Sequence, residues 1–388
     1  MPPRRTHTKS RAGCGNCKQR RIKCDEVHPR CGNCTKHGIG CDFSTGVGSE
    51  RGGDARAVVR DGVGREGGRR DGGTREGGGE KREINMVDME LLHHWTLAVP
   101  SSMGAGEEVV NLWRDAVPRL AFRDGGSGGG LMHAVLATSA LHLGVVEGGE
   151  GRDGRLRVAA EHYGEAVRAV KESVSVPGGI TRANCEGLFV SAALIVVYAV
   201  ASPMALETSE VETEWVVPAW LPLIRGMHSI LKEVWEWISG GSLAPMFAGH
   251  GSIDESLSED PALEALFRIC TDRREEDADE IKESSTSSTY FAAIHELQKS
   301  FTNPALRSNL VSLIFVWPIS VGEGYIALLQ EQRPRALVIF AYYCVLLKKL
   351  EGVWWVQGRA AYELDRIEQS LSENWKKWLE WPVKMIRG

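Results

Sequence analysis

The sequence predicts three successive parts: a small cysteine-organised head with two short pseudo-symmetric helices, a disordered linker, and a large all-α domain. Three observations carry this. Six of the nine cysteines lie between Cys14 and Cys41, whereas Cys185, Cys270 and Cys344 are scattered through apolar stretches as small buried hydrophobes are. Residues 45–82 are Gly with Arg and Asp/Glu, too poor in apolar surface to offset their ordering entropy. Beyond them apolar residues recur at helical spacing and strand alternation is rare. The boundaries fall at 1–44, 45–82 and 83–388.

In the head, the cysteines are spaced Cys14-x2-Cys17-x6-Cys24-x6-Cys31-x2-Cys34-x6-Cys41, so adding seventeen to the first three positions gives the last three. Zinc takes four ligands in a tetrahedron, which leaves each half one thiolate short. Two zinc ions need eight ligand places, and six cysteines fill them if two bridge. Pseudo-symmetry makes the bridging pair equivalent residues, such as Cys14 and Cys31. His28 and His37 sit off the repeat and are not expected as ligands. A redox dithiol at Cys14/Cys17 or Cys31/Cys34 lacks its βαβ context, and a disulfide knot lacks a secretory signal in MPPRRTHTKSR.

The formal net charge of −5 conceals a head of +7 over residues 1–45, which leaves −12 for the rest. Six thiolates and two zinc dications sum to −2, so a loaded head stays near +5 and points to a polyanion. The halves differ: KQRRIK follows Cys17, and TKHGIG stands at the equivalent place after Cys34. Only the first half presents a cationic helix suited to a DNA groove, with the metal fixing its shape. Arg20 and Arg21 are the candidates for bidentate contacts to guanine; Lys18, Lys23 and Arg11 are candidates for phosphate contacts. The bland alternatives are a nuclear-import patch, or a metal-storing or interaction module that does not read sequence.

The linker interleaves acids with its arginines and carries no apolar heptads, so a solvated tether is expected and no zipper. Homodimer and monomer both stay open. Helices are expected in the body at 131–146, along RLRVAAEHYGEAVRAVKESV, and at about 183–201, 221–238, 260–271, 289–301, 305–316, 335–350 and 358–380, with ETSEVETE and DRREEDADEIKESSTSS as polar loops. All twelve tryptophans lie here, from Trp95 to Trp381, marking the large core. The longest apolar run, Leu188 to Ser202, falls short of the ~20 residues of a membrane span and reads as a buried helix. No GxSxG, P-loop, GxGxxG or HExxH is present, so no enzyme is expected. His93 and His94 are expected to pack or face solvent. Trp235, Trp237, Trp317, Trp354 and Trp355 are candidates for lining a hydrophobic pocket.

The head RTHTKSRAGCGNCKQRRIKCDEVHPRCGNCTKHGIGCDF resembles the DNA-binding domain of the fungal binuclear zinc cluster transcription factors, in its six cysteines, its basic run, CDE after the third cysteine and Pro29 before the fourth. LLHHW, LMHAVLATSALHLG, EHYGEAVRAV, WLPLIRGMHSIL and WKKWLEWPV resemble the helical fungal-specific regulatory domain, in the subgroup similar to sterol uptake control proteins. The resemblance implies two Zn2+, bridging by Cys14 and Cys31, and base reading by Arg20 and Arg21 at CGG-like half-sites. It further implies a nuclear regulator of RNA polymerase II genes that engages the transcription machinery. Sterol or secondary-metabolite genes, and a sterol as effector, are its finer implications.

Overall fold

The computed structural model describes residues 13–20, 22–28, 30–37, 41, 85–124, 130–146, 151–206, 215–247, 257–272, 279–302, 311 and 313–388. They belong to two units, within Met1–Glu80 and Lys81–Gly388. Arg11, Arg21 and the linker 45–82 lie outside the described residues.

The first unit has two five-residue helices, α1 (Gly15–Gln19) and α2 (Gly32–Lys36), seventeen positions apart. Its buried cluster consists of the six cysteines, each no more than 2% exposed. A unit this small has no apolar core to close around, so the sulfurs are its centre.

The second unit is helical, with no strand among the described residues. It opens with α3 (Met86–Leu97), where Asn85 Oδ1 accepts from the backbone N–H groups of Val87 and Asp88. Then come α4 (Val99–Ser102) and α5 (Glu107–Asn111), which runs through a π turn (Leu112–Ala116) into α6 (Val117–Asp124). Next are α7 (Gly130–Val146), α8 (Arg152–Ser175), α9 (Cys185–Leu206) and α10 (Trp220–Ile238). The remainder comprises α11 (Pro261–Leu266), α12 (Ser284–Thr302), α13 (Leu313–Ser320), α14 (Glu323–Gln330), α15 (Pro334–Lys348), α16 (Arg359–Ser370), α17 (Glu373–Lys376) and α18 (Glu380–Arg387).

Three of these helices are apolar all round because neighbours cover every side. Helix α7 packs on α3, α6, α8 and α9; α9 packs also on α10; and α15 packs on α12, α13, α16 and α18. By contrast α10 is amphipathic: Trp220, Leu221, Ile224, Met227, Ile230, Val234 and Ile238 are buried along one stripe. Within α9, Cys185–Ser202 is long and apolar enough to cross a membrane, yet 83% of it is buried inside the protein. The expectation of a buried helix there holds. Cys185, Cys270 and Cys344 are buried thiols, as expected.

The C-terminal helices are tied down by a buried cation. Arg335, on α15 and wholly buried, donates to Glu280 Oε2 at 2.9 Å and to the carbonyls of Ile269 and Asp272, and lies over the Trp375 ring. Tyr290 O–H donates to the other Glu280 oxygen at 2.5 Å.

Three expectations are corrected. The single helix at 358–380 is broken: α16 ends at Ser370, and Leu371 and Ser372 are extended before α17 starts. The break sends both Leu371 and Trp375 into the core. Helix α12 begins at Ser284, inside the stretch expected as a polar loop, where the Ser287 hydroxyl ties the first turn to the Cys270 carbonyl. The helix expected at 260–271 is α only over Pro261–Leu266 and tightens to a 3-10 turn over Phe267–Cys270. Of the helix expected at 305–316, residues 305–310 and 312 lie outside the described residues, and α13 begins at Leu313.

Candidate metal centre and nucleic-acid interface

Both C-x2-C pairs sit at helix starts. Cys14 and Cys31 are N-cap residues with extended backbones, and Cys17 and Cys34 stand three positions on, so one helical turn brings each pair of sulfurs to the same side. Cys24 and Cys41 return after the helices. The Cys14 N–H donates to Cys24 Sγ and the Cys31 N–H to Cys41 Sγ, both at 3.4 Å. The seventeen-residue repeat is thus a repeat of hydrogen bonds as well as of letters.

The sulfurs form two groups of four, Cys14/Cys17/Cys24/Cys31 and Cys14/Cys31/Cys34/Cys41, within which all ligand atoms lie within 4.8 Å of one another. Cys14 and Cys31 belong to both. The Sγ···Sγ distances Cys14–Cys31, Cys14–Cys34 and Cys17–Cys31 are each 3.6 Å. A disulfide needs about 2.05 Å, and a zinc tetrahedron with Zn–S of about 2.3 Å needs S···S near 3.8 Å. The donor set fits two zinc ions.

Burial pushes the Cys14, Cys17 and Cys34 thiols up, Cys34 to about 12. Cys31 is pulled down to about 6, chiefly by the backbone N–H of Cys34 donating to its sulfur. Thiols so crowded and buried ionise together only against a cation, which is what bound zinc supplies. His28 and His37 are exposed and in neither group.

Lys18, Arg20 and Lys23 are all exposed. The cationic helix expected here is shorter than its cations: α1 ends at Gln19, Arg20 is its C-cap, and Lys23 lies beyond. The chain must leave the helix early to return Cys24 to the sulfur centre, and the Ile22 N–H closes the turn on the Cys17 carbonyl. Two polar residues that sequence reasoning passed over join the halves. Asp25 accepts from the Gly32 N–H through both carboxylate oxygens (2.9 and 3.1 Å), and Asn33 Nδ2 donates to the Lys23 carbonyl at 2.6 Å. Gly-Asn-Cys, repeated at 15–17 and 32–34, was the available signal.

The helical unit encloses an apolar cavity of about 210 Å³ among Met103, Trp113, Phe189, Met227, Phe247 and Trp355, with His228 on its wall. Burial pushes His228 down, toward the neutral form. Of the five tryptophans expected to line a pocket, only Trp355 lines this one. Trp317 donates to the Ala293 carbonyl in the core, Trp354 abuts His142, and Trp235 is exposed against Phe247. Trp113, which does line it, was not singled out. His93 is exposed, while His94 Nε2 meets His142 Nδ1 at 2.9 Å, and His142 Nε2 meets Ser102 Oγ at 3.0 Å. A second pair, His133 and His162, meets at 2.8 Å.

Two four-sulfur groups sharing two sulfurs define a binuclear zinc-cluster protein. The profile of the fungal Zn(2)-Cys(6) binuclear cluster domain matches residues 12–47, and that of the fungal specific transcription factor domain matches residues 90–217. A Zn(2)-C6 fungal-type transcription factor of Gibberella zeae is 29% identical over 99% of this chain and 87% of its own length. Sterol uptake control protein 2 of Candida albicans is 26% identical over 72% of this chain and 40% of its own length. The Zn(2)-C6 fungal-type transcription factor afumD of Aspergillus fumigatus is 26% identical over 87% of this chain and 84% of its own length. The chain thus carries a fungal Zn2Cys6 cluster domain and a fungal-specific transcription factor domain, which are domains of regulators and not of enzymes.

Proposed function

We propose that this protein is a nuclear regulator of RNA polymerase II genes that reads CGG-like half-sites through the first half of its zinc cluster. One observation carries the reading. Lys18, Arg20 and Lys23 are exposed around one half of a pseudo-twofold centre, and seventeen positions on the sequence has Thr35, His37 and Gly40 instead. With three exposed cations on the first half against Lys36 on the second cluster helix, the first half is the more cationic face and the one suited to a polyanion.

In this reading Cys14, Cys17, Cys24, Cys31, Cys34 and Cys41 are the zinc ligands. Arg20 and Arg21 contact bases, and Lys18, Lys23 and Arg11 contact phosphates. Residues 1–44 bind DNA, 45–82 act as a tether, and 83–388 regulate output and recruit the transcription machinery. The relatives named sterol uptake control protein 2 motivate sterol-related or secondary-metabolite target genes. The apolar cavity beside Trp355 is the proposed place for a hydrophobic effector such as a sterol. Because residues 45–82 carry no apolar heptads in their sequence, homodimerisation, if used, falls to the helical unit.

The test is the affinity of the full chain for a duplex carrying CGG half-sites against a scrambled duplex. Arg20→Ala and Arg21→Ala should each lower the preference about tenfold, in keeping with ~1–3 kcal/mol per bidentate pair, while zinc stays at two per chain. Unchanged preference in both variants would return the head to a metal-storing or interaction role.

A further inference from the structure

Zinc fixes the positions of six sulfurs, but each cysteine reaches its sulfur through rotatable side-chain bonds. The metals alone do not fix the backbone that carries the cations. Helix α1 secures one end of that segment, through the Lys18 N–H to the Cys14 carbonyl and the Arg20 N–H to the Asn16 carbonyl. Past Ile22 the chain leaves the helix, and Lys23 has no helical ladder to hold it.

What holds it is the other half. Asn33, on α2, donates to the Lys23 carbonyl at 2.6 Å, and two residues on, the Asp25 carboxylate receives the first N–H of α2 at 2.9 and 3.1 Å. The contact is close: a Cβ on Gly32 would lie 2.5 Å from Asp25 Oδ2, so a side chain there would push the carboxylate aside. Glu26, directly after, takes a left-handed backbone with φ of 57°, a conformation that surrounding contacts must impose on a non-glycine residue. A carboxylate on a helix N-terminus is among the stronger exposed hydrogen bonds.

We propose that Asp25, with Asn33, is a positioning residue for sequence reading. The pair is a metal-independent bracket that locks the backbone of residues 22–25 to α2 and so sets the register of Lys23 and Arg20 against DNA. The inference rests on the first half being the reading half. Groups that orient a metal site from outside its ligand set act in the same way.

The test uses the full chain loaded with zinc. Asp25→Ala should keep two zinc ions per chain, lower the affinity ratio of CGG-bearing over scrambled duplex about tenfold, and leave the salt dependence of non-specific binding unchanged. That fold-change corresponds to about 1.4 kcal/mol, near the lower end for a hydrogen bond to a charged group. Asp25→Asn, which keeps a side-chain oxygen as acceptor, should recover most of the ratio. Asn33→Ala should lower it severalfold by removing the other arm.

An unchanged ratio in Asp25→Ala overturns the proposal. If Asp25→Ala fails to hold zinc, Asn33→Ala decides: two zincs with a lowered ratio sustains the bracket, and loss of zinc there too makes it a device for metal retention and overturns it. A wild-type chain without preference between the duplexes would overturn the functional reading itself, a result separable from any variant effect.

Discussion

Replacing one cysteine at a time should separate shared from unshared sulfurs. Cys31 belongs to both four-sulfur groups and Cys41 to one. Cys41→Ser leaves Cys14, Cys17, Cys24 and Cys31 intact as a complete tetrahedral set and should retain one zinc per chain. Cys31→Ser reduces both groups to three sulfurs and should retain none at a chelator concentration that leaves the wild type with two. Structural zinc contributes roughly 10–16 kcal/mol of apparent binding free energy in small metal-folded domains. With nothing but sulfur at its centre the head cannot fold on what remains, so Cys31→Ser should also abolish DNA binding. Zinc released on thiol modification, counted colorimetrically per mole of chain, is the assay. Equal residual zinc in the two variants would refute the assignment of Cys31 as a bridge.

Other outcomes follow from the same structure. DNA binding through about six phosphate contacts should weaken with salt at a log–log slope near −5, and Lys18→Ala and Lys23→Ala should each make it shallower by about 1; a flat response in filter binding removes their phosphate role. Arg335→Met strands Glu280 among buried groups and should cost about 3–5 kcal/mol in denaturant titration, and a loss under 1 kcal/mol would show the ion pair to be dispensable. Burial first, and His94 second, push His142 down to about 4, while burial also lowers His133. The unfolded chain therefore binds more protons between pH 6.5 and 4, and stability present above that window drains away as pH falls through it. The wild-type Tm should drop more steeply across that window than that of His142→Gln, and parallel curves would contradict this.

Much of the metal centre was legible because zinc ligation is local chemistry. The seventeen-residue recurrence and the ligand count led to a shared pair before any coordinates, and the sulfur groups share the equivalent pair Cys14 and Cys31. The extent of α1 was not legible. Charge pattern marks where cations cluster but not that Cys24 must turn back from Gln19 onward. In the body, the apolar runs placed α7, α9 and α15 well, since a helix buried on every side declares itself by composition. Which tryptophan faces a cavity depends on helices far away in sequence, so Trp113 and Trp355 were indistinguishable by pattern from Trp317. The His94–His142 and Arg335–Glu280 contacts span 48 and 55 residues, beyond any periodicity.

Helix α9 also bears on how the protein is made. When Leu206 leaves the ribosome, α7 and α8 already exist to shelter part of this apolar rod, but α10 and α16 do not. About 150 residues separate Leu206 from Arg359, some eight to thirty seconds at ordinary elongation rates. Only when Arg359 arrives on α16 to donate to the Val200 carbonyl is the last side of the rod covered. For that interval part of the apolar surface of α9 has only the α7–α8 layer to cover it.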